Sequence, residues 1–128
     1  MEHHHVVTEP AQYTADISRE LVRLYSARAG RGPTKARTTT DQNTILVVLQ
    51  EVLTKAELTL AEAGQMESVR ESRMALALAL RREAVAVIER MLLRKVTTYV
   101  PGIDVAADVA TVVFLLEPPE RDAPPDAE

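Results

Sequence analysis

Tyr13, Ile17, Leu21 and Leu24 recur at spacings of four, four and three residues. That period puts them on one stripe of a helix predicted over residues 11–29. Asp16, Arg19, Glu20 and Arg23 fall on its wet face. The pattern then changes at Gly30-Arg31-Gly32-Pro33. Gly30 can take the left-handed conformation that closes a helix. Pro33 cannot continue one and drives Gly32 towards extended backbone. Residues 34–40 are rich in Thr and predict a strand with Lys35, Arg37 and Thr39 on one face. Asp41-Gln42-Asn43 is a turn signal. Residues 45–49 are apolar without interruption, and their length and β-branching predict a strand buried on both faces. The two strands read as a hairpin with a polar edge strand and a buried inner one.

Thr54 and Glu57 have the spacing of a capping box, so a short helix is predicted to start there and end near residue 63, with Gly64 as its stop. Structural capping is the plain reading of both residues. One long helix without Gly or Pro is predicted over 66–94. Val69, Leu76, Leu80, Val87 and Met91 form one stripe, and Met74, Leu78, Val85, Ile88 and Leu92 a neighbouring one. Its middle, 74–80, is apolar all round, a pattern that needs cover on several sides. A second subunit would supply it, so a homodimer is expected; the alternative is cover by the first helix. Residues 96–100 are strand-like and closed by Pro101-Gly102, a turn pair. Residues 109–116 form a last strand, and Asp104 and Asp108 are expected as solvated turn residues between the two. The expected fold is α+β in the order αββααββ, a two-layer domain with a four-stranded antiparallel sheet and its helices on one face.

Composition places the boundaries. The 128-residue chain is 46% hydrophobic and 27% charged, ordinary for one domain. Residues 1–9 are expected to be disordered, 10–116 to form the domain, and 117–128 to be a disordered acidic tail marked by Pro118, Pro119, Pro124 and Pro125. The formal charge of -4 sits in that tail, where five acids meet only Arg121; residues 1–116 hold 14 acids and 14 bases. A neutral body with 3% aromatic residues excludes the usual profile of a nucleic-acid binder. The longest apolar run, 74–80, is too short to span a bilayer. With no apolar leader after His3, His4 and His5, a cytoplasmic protein is expected.

The search for chemistry returns little. The chain has no Cys, and its three His lie within the first five residues. That leaves no thiol nucleophile and no His general base in the body. The His triplet is either native or a tag remnant. No catalytic constellation, cofactor motif or functional metal site is expected, because two loop aspartates supply too few oxygens for a cation. The candidate site is the basic corner Arg28, Arg31, Lys35 and Arg37, a stretch with no acid between Glu20 and Asp41. Such a turn could hold a small anion, a phosphate or a lipid headgroup, or dock an acidic partner segment. The plain alternative is an edge strand guarded by charge.

Gly30-Arg31-Gly32-Pro33, an apolar strand, Leu53-Thr54-x-x-Glu57-x-x-Leu60 and Val69-x-x-x-Arg73 together resemble the bacterial MpsC-like family. Asp108 and the strand 112–116 fit the same pattern, so the resemblance spans about residues 17–116. Gly30, Gly32, Pro33, Leu53, Thr54, Glu57 and Arg73 carry it as structural motif residues. The chain departs from the family's Ser-Asp-type loop after the third strand, where it reads Val100-Pro101-Gly102-Ile103-Asp104. The resemblance implies a soluble, non-catalytic accessory domain beside a membrane complex that translocates Na+ or bicarbonate and generates membrane potential. It would sit at the inner membrane face with a membrane-complex protein as partner. The alternative function is a small-anion or ligand-binding regulatory module using Arg31, Lys35 and Arg37.

Overall fold

The computed structural model describes residues 9–119. The expectations for the His triplet and for most of the acidic tail lie outside those residues. A single 3-10 turn, Pro10–Tyr13, leads into α1, Thr14–Ala29. Gly30 closes α1 at φ 85°, as its lack of a Cβ permits. Gly32 is favoured for another reason: a Cβ there would lie 1.9 Å from Ser26 Oγ on α1, so the Ser26 side chain would have to move. The corner therefore presses directly against the helix it leaves. The stripe on α1 buries Ile17 and Leu21, and continues to Tyr25 rather than Leu24. Ser18 and Thr38 share a hydrogen bond of 2.7 Å between their hydroxyls, which satisfies the buried Thr38 on the inner face of the first strand.

The strands are β1, Lys35–Asp41; β2, Thr44–Gln50; β3, Val96–Asp104; and β4, Val109–Leu116. All pairings are antiparallel and the sheet order is β1-β2-β4-β3. β3 does not stop at Pro101-Gly102 as expected but runs through both to Asp104. β3 is an edge strand, where a proline's missing N–H need cost no ladder bond. The turn falls instead at residues 105–108.

Between the hairpins lie α2, Lys55–Glu62; α3, Met66–Ala79; and α4, Arg81–Leu92. The capping box on α2 is complete, with Thr54 and Glu57 each binding the other's backbone N–H. The long helix expected over 66–94 is two helices, so the order is αββαααββ. The break is at Leu80. The Tyr99 hydroxyl donates at 2.7 Å to the Ala77 carbonyl, which in an unbroken helix accepts from the Arg81 N–H. A side chain entering the ladder at the break is a recognised cause of a kink. The apolar middle also needs less cover than its pattern implied. Ala77 and Leu80 are buried, Met74 and Leu76 half-buried, and Leu78 is the one large side chain of the stretch left mostly exposed.

The core joins Ile17, Leu21 and Tyr25 of α1 and Val69, Leu80, Ile88 and Leu92 of the α3–α4 stretch to Ile45, Val47, Leu49, Val112 and Phe114 of the sheet. At its end lies the connection from β2 to α2. Val52 and Leu53 there are 1% and 0% exposed yet belong to no element. Their peptide groups are bound by side chains. Asp108 Oδ1 accepts from both N–H groups at 2.9 Å. Arg73 donates to the Val52 carbonyl and Arg31 to the Leu53 carbonyl, the latter at 3.0 Å. Arg73 also grips Glu57 with two hydrogen bonds of 2.8 Å. Asp108, expected as a solvated turn residue, is thus a half-buried anchor, held at φ 57°. Asp104 does have a turn role, accepting from the Ala107 N–H.

Two predictions follow from these contacts. Burial tends to raise the Glu57 pKa, but the bonds from Arg73 and Thr54 outweigh it and hold the carboxyl below its usual value. Stabilisation from Glu57 is therefore present above the ordinary carboxylate range and is lost as pH falls through the folded value. Glu57→Gln also leaves the Arg73 charge buried without a counter-charge. It should cost about 3 kcal/mol at neutral pH, with the gap to wild type narrowing on acidification. Urea melts at several pH values check this; a gap independent of pH would contradict it. Leu93, the C-cap of α4, is left-handed at φ 57°, and it is 82% exposed. Leu93→Gly should relieve about 1 kcal/mol of backbone strain and raise Tm by several degrees. An unchanged or lowered Tm would refute that account.

Candidate functional site

Strand alternation gives the sheet two unlike faces. The inner face carries Ala36 and Thr38, then Ile45, Val47 and Leu49, then Ala110, Val112 and Phe114, then Tyr99. β2 was expected to be buried on both faces, and here the structure corrects the pattern. Leu46 and Val48 point outward and are only half-buried, because no described element lies over them.

The pairing register arranges that outer face in rows across β1, β2, β4 and β3. The first row is Lys35, Gln50, Val109 and Asp104. The second is Arg37, Val48, Thr111 and Gly102. The third is Thr39, Leu46, Val113 and Val100. The fourth is Asp41, Thr44, Leu115 and Thr98. Apolar side chains hold much of the middle, Leu46 and Val48 on β2 and Val109, Val113 and Leu115 on β4, and Val100 extends them onto β3; Val100 is 51% and Leu115 37% exposed. Positive charge sits at one corner. Thr34, Lys35, Arg37, Val48 and Gln50 line a shallow concavity of about 610 Å³ there.

The four cations of the basic corner do not act together. Arg28 is turned away and paired with Glu83 of α4 through two hydrogen bonds. Arg31 is used on the Leu53 carbonyl. Lys35 and Arg37 alone reach the outer face, and among the described residues neither has an ion-pair partner. The motif residues Gly30, Gly32, Leu53, Thr54, Glu57 and Arg73 all serve the corner or the β2–α2 connection, and Pro33 is buried beside them. Sequence reasoning missed Asp108 as an anchor and the outer-face positions Leu46, Val48 and Val113. The unbroken apolar runs in β2 and β4 were their signal.

Among the described residues, no three His, Cys, Asp or Glu side chains could jointly hold a metal ion. Tyr25 and Tyr99 have raised pKa values because burial disfavours their phenolates. Both lie in the hydrophobic core, so the shifts report packing. No described helix is long and apolar enough to cross a membrane. A second exposed groove, of mixed polarity, follows the α3–α4 break, lined by Leu78, Arg81, Arg82, Val85, Glu89 and Val96.

No curated protein and no solved structure matches the chain. The family model described as Na+-translocating membrane potential-generating system (MpsC) matches residues 9–118, which include every helix and strand described above. The chain belongs to the MpsC family.

Proposed function

We propose that this chain is a non-catalytic accessory domain of a membrane system that translocates Na+ and generates membrane potential. It is a two-layer interaction module: helices close one face of the sheet and the other face is left for a protein. It works as a homodimer at the inner face of the membrane, in the cytoplasm, held there by membrane-complex subunits. The observation that carries the reading is the outer sheet face. Large exposed apolar patches on soluble domains mark interaction surfaces, and here Leu46, Val48, Val100, Val113 and Leu115 adjoin one another across three strands. Family membership supplies the context for that surface.

The test is purification of the tagged full chain from native cells in mild detergent. Multi-span Na+-translocating subunits should come with it, and cells lacking the chain should lose part of their Na+-dependent membrane potential. Recovery without such subunits, together with an unchanged potential, would overturn the reading.

The concavity beside Lys35 and Arg37 favours a second reading, a small-anion or ligand-binding regulatory module. Arg31 leaves that set because it holds the Leu53 carbonyl. The double substitution Lys35→Glu with Arg37→Glu should weaken binding of inorganic phosphate, or of acidic vesicles, by about tenfold or more. Titration calorimetry and vesicle pelleting read the two ligands separately. Binding equal to wild type in both would remove this reading.

A further inference from the structure

We propose that the occupant of the outer sheet face is a second copy of this chain, stacked face to face about a two-fold axis lying in the plane of the sheets. This rests on the reading of the chain as an interaction domain and names the partner and the surface.

A strand with one wet face alternates polar and apolar residues. β2 reads Ile45-Leu46-Val47-Val48-Leu49 and β4 reads Val112-Val113-Phe114-Leu115-Leu116, the composition of strands covered on both sides. The described residues cover one side only. The missing layer is one that packs a sheet about 10 Å away, as in a sandwich.

Charge placement selects the occupant. An acidic peptide would answer Lys35 and Arg37 but leave Val100, Val113 and Leu115 wet. A purely apolar segment would bury two unpaired cations. A second copy covers the apolar positions and brings an acid to Lys35, while Arg37 meets the small or polar Gly102 or Thr39 of the partner subunit at the rim. With the two-fold along the strands, β1 faces the partner's β3 and Lys35 lies over Asp104 of the partner subunit. Leu46 then lies over the partner's Val113. With the two-fold across the strands, each strand faces itself reversed. Lys35 then lies over the partner's Asp41, Val48 over the partner's Leu46, and Leu115 over the partner's Val109. Both arrangements bring a cation to an acid at the corner and apolar to apolar near the centre. A C2 contact of this kind is closed, which limits the assembly to two. The groove after the α3–α4 break stays outside it, open to membrane subunits.

Sedimentation equilibrium on the full chain, from about 1 to 50 µM, tests the proposal. Wild type should be dimeric. Val100→Arg alters an exposed side chain, so circular dichroism should remain native while the dimer Kd rises about 30-fold or more. Lys35→Glu should weaken the dimer by several-fold at low salt. Restoration by Asp104→Lys would set the axis along the strands, and by Asp41→Lys across them. A monomeric wild type, a Val100→Arg dimer as tight as wild type, or failure of both reversals to restore Lys35→Glu would each overturn the proposal. A monomer that still purifies with Na+-translocating subunits, and loses them on Val100→Arg, would assign this face to the membrane complex. That result removes the second copy and leaves the accessory function standing.

Discussion

Val52 and Leu53 impose the constraint from which much of this fold follows. They are buried and lie between β2 and α2 with no ladder of their own. An unpaired peptide group in such a place costs about 1–3 kcal/mol, so each of their N–H and C=O groups needs a partner from elsewhere. Asp108 arrives from the β3–β4 turn, Arg73 from α3 and Arg31 from the corner after α1. Three segments remote in sequence are thereby fixed against one connection. The Glu51 N–H adds to this by donating to the Asp108 carbonyl. Glu57 completes the set by serving two masters at once, the N-cap of α2 and the Arg73 guanidinium. An Arg fork suits this place because its donors reach a carboxylate and a carbonyl together, which a lysine's point charge does not.

That arrangement explains what was legible in the sequence. Helix ends, the capping box, the Gly30 stop and the two hairpins are local events, and local residues announce them. The β1 face was readable because Lys35, Arg37 and Thr39 alternate with Ala36, Thr38 and Thr40. The failures share one cause, contact across the fold. The α3–α4 break has no Gly or Pro to signal it, since it coincides with a tyrosine from β3 entering the helix. Pro101-Gly102 reads as a turn until β3 is known to be an edge. Asp108 reads as a turn residue until the Val52 and Leu53 amides are known to be buried beside it. Arg28 and Arg31 look like neighbours of Lys35 in a patch, yet Glu83 and Leu53 claim them first.

The motif and the candidate site therefore do different jobs. Gly30, Gly32, Leu53, Thr54, Glu57 and Arg73 are consumed by architecture, so a family pattern built on them identifies a scaffold. They nevertheless position the site. Gly32 lets the corner pack against α1, and the β1–β2 register puts Lys35 and Arg37 on the outer side of the sheet. A one-residue slip in that register would bury both cations in the core and expose Ala36 and Thr38.

Two kinds of apolar surplus in this chain then have different meanings. The surplus in α3 is resolved within the chain, by a break that redirects the helix and by alanine at much of the exposed surface. The surplus in β2 and β4 is not resolved, since alternation is fixed at two residues and a strand cannot bend its outer face inward. Leu46, Val48, Val113 and Leu115 stay outward whatever the helices do. A sheet with that outer face leaves apolar side chains uncovered by the described residues, while its edge strands β1 and β3 are each paired on one side only. That the uncovered apolar surplus lies on the sheet rather than on the long helical stretch is the main physical revision the structure makes to the pattern of the sequence.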